Sequence, residues 1–107
     1  MNEQTYYIYI LQSKVSEQYY VGYSTDPWRR LEEHNTKEFN TFTSKFRPWR
    51  LVGVFLCTGD LSCVIQVERF IKRQKRKTFI QKMIEPDASL SGILQKLVRV
   101  PHLRDPL

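Results

Sequence analysis

Glycine and proline are scarce in this chain of 107 residues, 4 and 5 respectively, and no Gly/Ser-rich or proline-rich stretch divides it. That scarcity excludes a flexible linker between domains and a repetitive or low-complexity architecture, and a chain this short supports one hydrophobic core. Cysteine is scarcer still: Cys57 and Cys63 do not match the paired spacings of zinc sites, so free, packed thiols are expected. No apolar run approaches the roughly 20 residues that a membrane span requires. The opening residues also lack the basic, apolar and small-residue segments of a secretory signal, so the expected location is the cytoplasm, with no membrane partner. Acidic residues are the last shortage, 11 against 17 Lys and Arg, giving a formal charge of +6 and a pI of about 9.5. From Arg69 to Lys82 they are missing altogether.

What is present is a foldable composition, 41% hydrophobic and 13% aromatic. Tyr6 to Leu11 and Tyr19 to Tyr23 are aromatic and β-branched runs separated by a polar stretch, the pattern of an antiparallel hairpin. Asp26-Pro27 then supplies a helix cap followed by proline in the first turn, predicting a helix to about Asn35. A polar loop leads to a third strand over Leu51 to Cys57. Asp60 caps a longer helix to about Gln74, whose apolar residues Leu61, Val64, Ile65, Val67, Phe70 and Ile71 recur at helical spacing. Thr78 to Ile84 continues as another helix, and Asp87 is expected to cap a last one carrying Leu90, Ile93, Leu94 and Leu97. The expected fold is therefore α+β: a small three-stranded antiparallel sheet flanked by helices, in the order β-β-α-β-α-α over residues 1–84. Residues 85–107 are expected to form an extension, helical in part, packed on that domain or partly disordered.

Four features have a chemical reading. Glu68 falls within the apolar stripe of the long helix, and a carboxylate near a core needs a cation, a hydrogen bond or a metal; pairing with Arg69 or Lys72 is the plainer alternative. Arg30 and His34, with Arg29 beside them, lie on one helix where a planar cation and a titratable ring can meet a phosphate, although a solvated helix surface has the same spacing. The acid-free segment with Arg69, Lys72, Arg73, Lys75, Arg76 and Lys77 is suited to a phosphate backbone, which attracts such charge regardless of base sequence. Six tyrosines crowd the first two strands, and alternation places Tyr7 and Tyr9 on one face with Tyr6 on the other.

Tyr7-Ile8-Tyr9, Tyr20-Val21-Gly22, Arg30 to Asn35 and Glu68 resemble, in order and spacing, the GIY-YIG nuclease superfamily, especially its small single-domain bacterial members. Phe46 to Val52 resembles the Arg-Pro-Trp approach of those members to the third strand. Ile80 stands where several branches have an asparagine, and Tyr23 where the excision-repair branch has a lysine. The resemblance implies phosphodiester hydrolysis with one divalent cation, Mg²⁺ or Mn²⁺, held by Glu68, and with Arg30 on the phosphate oxygens. It implies Tyr9 or Tyr20 on the attacking water, and His34 either accepting a proton from a tyrosine or bonding the phosphate. Arg29, Lys45, Arg69, Lys72, Arg73, Lys75, Arg76 and Lys77 are the expected contacts to nucleic acid, taken as DNA. The alternative function is a nucleic-acid-binding module that keeps the scaffold without turnover.

Overall fold

The computed structural model describes residues 4–37 and 41–101. Its strands are β1 (Tyr6–Ser13), β2 (Tyr19–Ser24), β3 (Trp49–Cys57) and β4 (Leu97–Arg99), and its helices are α1 (Pro27–Thr36), α2 (Thr41–Ser44), α3 (Leu61–Gln74) and α4 (Lys77–Met83). The strands form one antiparallel sheet in the order β2-β1-β3-β4.

Strand alternation sorts the core into two layers. Ile8 and Ile10 of β1 join Val21, Phe55 and the buried stripe Val64, Val67 and Ile71 of α3, with Ile80 and Met83 of α4. Tyr9 and Leu11, on the other face of β1, join Trp49, Leu51 and Val54, covered by Trp28 and Leu31 of α1. Helices α1 and α3 start where their caps place them. The Asp26 side chain accepts a hydrogen bond from the Arg29 amide at 3.1 Å, and that of Asp60 from the Cys63 amide at 2.9 Å, each satisfying an amide that the first turn leaves open. The β1–β2 turn is built in the same way, with Ser13 Oγ accepting from the amides of Val15 and Ser16. Both cysteines are free, and Cys57 is buried.

Two parts differ from the sequence expectation. The sheet has a fourth strand, and the last helix expected over Leu90 to Leu97 is absent. Asp87 lies in a turn, Gly92 takes a left-handed φ of +61°, and Gly92–Lys96 makes only a 3₁₀ turn without a side-chain cap. Leu94 and Leu97 still reach the core, Leu97 from a strand paired with Cys57, so their apolar spacing reflects burial without the α-helix it suggested. The loop expected between Thr36 and Pro48 contains the short α2, and its residues 38–40 lie outside the described set.

Candidate active site

β2 is an edge strand, so side chains from both layers can meet around it. Tyr9 and Tyr20 project onto the α1 face, where Tyr9 lies opposite Gly22 in the β1–β2 register. Gly22 is the residue that makes room: a Cβ there would stand 2.7 Å from the Tyr9 hydroxyl oxygen and 2.8 Å from the adjacent ring carbon. Any larger residue would drive a buried ring off its position.

The Tyr9 hydroxyl lies 3.0 Å from His34 Nε2, and both residues are almost wholly buried, 1% and 2% exposed. Tyr20 packs on the same imidazole with ring centroids 4.5 Å apart, and Trp49 meets Tyr20 edge-on at 6.5 Å. Arg30, one turn before His34 on α1, carries its guanidinium beside the Tyr9 hydroxyl and bonds Glu33 Oε1 through Nη1 at 2.6 Å. From the opposite layer α3 brings Glu68 close enough for its charge to act on Tyr9. Lys72 lies one turn further along α3, its Nζ 3.3 Å from Glu68 Oε2 and 5.6 Å from the centre of the Tyr20 ring.

These surroundings set the protonation states. Burial, reinforced by Tyr20 and opposed by Arg30, pushes the Tyr9 phenol up to about 12. Burial and then the Arg30 charge push His34 down to about 4, with Arg47 adding to the effect and Glu33 opposing it. At neutral pH Tyr9 is therefore a protonated donor and His34 a neutral ring. At Tyr9 desolvation of the phenolate outweighs the opposing charge of the Arg30 guanidinium. His34 is buried against Tyr9 and engages its hydroxyl.

The His34 shift has a measurable consequence. Its folded pKa of about 4 lies below the ordinary 6.5, so the associated stability is complete above pH 6.5. It is lost as pH falls through the window down to about 4, where the unfolded chain binds a proton that the folded chain refuses. The loss across that window is roughly 3 kcal/mol. His34→Gln, which still bonds Tyr9 but cannot titrate, should flatten this part of the profile. Urea unfolding of both proteins at pH 7, 5.5 and 4.5 checks it, and equal slopes would contradict the assignment.

Sequence reasoning missed the residues that hold this cluster. Asn35 bonds Trp49 twice, its Nδ2 donating to the backbone oxygen at 3.0 Å and its Oδ1 accepting from the amide at 2.7 Å, which ties the end of α1 to the start of β3. Arg47 Nε donates to the His34 carbonyl at 2.6 Å. Gly22 and Glu33 complete the support. Asn35, Arg47 and Gly22 stand inside the matched motif strings, so the strings were the available signal, but a string assigns no partner.

The expected nucleic-acid contacts separate into groups. Lys72, Lys75, Arg76 and Lys77 border one cleft beside β2. Arg69 and Arg73 are exposed on α3 and Lys45 in the turn after α2, and no described contact joins these three to the cluster. Arg29 is exposed and lies 3.9 Å from Glu33. Ile80 is packed in the core, so it supplies no polar group to the site. Among the described residues no three His, Cys, Asp or Glu side chains gather; the carboxylates at the cluster are Glu33, bonded to Arg30, and Glu68, paired with Lys72. The carboxylate of Glu68 is an oxygen donor of the kind that hard divalent cations take.

A family model described as the GIY-YIG catalytic domain matches residues 5–83. The chain is 36% identical over 80 residues to the structure-specific endonuclease subunit SLX1 of Meyerozyma guilliermondii, covering 70% of this chain and 27% of that protein. It is also 36% identical over 72 residues to a UPF0213 protein of Haloquadratum walsbyi, covering 67% of this chain and 79% of the relative. The match thus spans about a quarter of the SLX1 subunit but most of the second relative.

Proposed function

The chain belongs to the GIY-YIG catalytic-domain family, and on that premise we propose that it is a metal-dependent endonuclease hydrolysing the phosphodiester backbone of DNA with little base specificity. One observation supports this most: Tyr9, Tyr20, Arg30 and Glu68, separated in sequence and carried by four different elements, converge at the edge of the sheet.

Each residue has a role that follows from its surroundings. Arg30 is oriented by Glu33 and offers its remaining donors to the non-bridging phosphate oxygens, where negative charge grows as water attacks. Tyr20 is the less buried phenol, so its oxygen can orient the attacking water. Tyr9 is a positioning residue: with Nδ1 of the neutral His34 carrying the ring proton, Nε2 accepts from Tyr9, and the pair keeps the Tyr20 ring and Arg30 in register. Glu68 would hold the divalent cation, which supplies Lewis acidity to the phosphate and the departing oxygen. The water oxygen bonds phosphorus as its proton passes to solvent, the bond to the leaving sugar oxygen breaks, and that oxygen takes up a proton from solvent. Arg29, Lys45, Arg69, Arg73 and the cations of the cleft would draw the backbone toward the site.

Lys72 on the carboxylate of Glu68 favours a second reading, a binding module without turnover, because a resident cation already neutralises that carboxylate. Cleavage of labelled duplex, flap, junction and single-stranded DNA distinguishes the two. The nuclease reading expects products with Mg²⁺ or Mn²⁺ and none with EDTA. Tight binding with no metal-dependent product on any substrate would overturn it in favour of the module.

A further inference from the structure

The basic segment does not form an evenly solvated helix face. Lys72, Lys75, Arg76 and Lys77 rim a cleft of about 310 Å³ between the end of α3, the start of α4 and β2, near the lower limit of sites for small organic ligands, roughly 300–1,000 Å³. Beneath the charged rim apolar side chains form the floor, with Gln18 also lining the cleft. Val21, Ile71 and Ile80 reach it, none more than 7% exposed, and the half-buried Tyr19 forms a wall. Ile80, which gives nothing to the catalytic cluster, belongs to this lining.

The rim also carries a backbone outlier. Lys75 ends α3 at φ +56° and ψ +22°, a left-handed position that favours glycine and strains a residue with a Cβ. A lysine kept there at a conformational cost points to a use for its side chain. The exposed contact of Lys77 with Glu17, 3.7 Å long, is too weakly held to neutralise the rim. Lys72 borders both this cleft and the catalytic cluster, so the two sites adjoin.

A bare phosphate has no use for an apolar floor or an aromatic wall, whereas a nucleobase does. We propose that the cleft accepts one unpaired nucleotide next to the scissile phosphate, its base against Tyr19 and the apolar floor and its phosphate among Lys75, Arg76 and Lys77. Resting on the nuclease reading for its substrate, this makes the favoured DNA a duplex with an unpaired nucleotide beside the cleaved bond, because drawing a paired base into the cleft costs unstacking and unpairing that a branched or frayed end has already undergone.

Fluorescence anisotropy in EDTA, where no cleavage occurs, compares a blunt duplex with the same duplex carrying single-stranded thymidine arms. The natural protein should bind the splayed DNA about tenfold more tightly. Lys75→Gly should raise the unfolding temperature by relieving the left-handed strain and yet reduce that preference. Tyr19→Leu, which keeps an apolar residue on β2, should reduce it as well. Equal binding of the two DNAs by the natural protein, or a preference unchanged in both variants, overturns the cleft assignment. A preference that persists in a protein unable to cleave would defeat the nuclease reading alone, and cleavage without any preference would defeat the cleft alone.

Discussion

Glu68→Gln should slow Mg²⁺-dependent cleavage about a thousandfold or more while the protein stays folded. Glutamine keeps the length and shape of the side chain but removes the charge that would hold the cation. Losing the Lewis acid forfeits charge stabilisation at the phosphate and the leaving group together, about 4 kcal/mol for a thousandfold change. Folding should barely register the change. The ion pair of Glu68 with Lys72 joins two helix neighbours, one of them half exposed, and such pairs contribute between nothing and about 1 kcal/mol. Initial rates with saturating DNA, beside thermal unfolding curves, test both halves. Cleavage by the variant at the natural rate would place the active carboxylate elsewhere.

Arg30→Ala should cost cleavage about a hundred- to a thousandfold, because its guanidinium is the cation beside the Tyr9 hydroxyl and the group best placed to meet charge developing on phosphate oxygens. Arg30→Lys should recover only part of the rate, since an ammonium cannot bond Glu33 and two phosphate oxygens in one plane. The electrostatics supply a signature independent of turnover. Arg30 helps depress His34, so its removal should move the His34 titration upward from about 4, observable by NMR of the imidazole. A slowed variant with His34 unmoved would mean that Arg30 does not sit where the structure puts it.

Much of this was legible in the sequence because it depends on local rules. Alternation put Tyr7 and Tyr9 on one face of β1 and Tyr6 on the other, and they pack in separate layers. Asp26 and Asp60 announced their helices, since a capping carboxylate acts within three residues of itself. Helical periodicity placed Glu68 against the core, and its side chain is 14% exposed, paired with Lys72 as the plainer alternative had it.

What stayed hidden depends on partners far apart in the chain. The bond of Tyr9 to His34 spans 25 positions, and the clamp of Asn35 on Trp49 spans 14. No spacing rule reveals either. β4 is three residues long and exists by pairing with β3, so its sequence carries too little pattern to compete with the leucine spacing around it. The inverted pKa values arise from burial, which only the assembled layers create.

The central claim is that Glu68 would hold one divalent cation at the β2 edge, beside the cluster of Arg30, Tyr9 and Tyr20. Titration of Mn²⁺ into isotope-labelled protein, followed by paramagnetic broadening of its NMR signals, tests it most directly. The expected result is broadening strongest at Glu68, Tyr20, Tyr9 and Arg30, weak at β4, and abolished by Glu68→Gln. Broadening centred on another part of the molecule, or unchanged in Glu68→Gln, would contradict the claim.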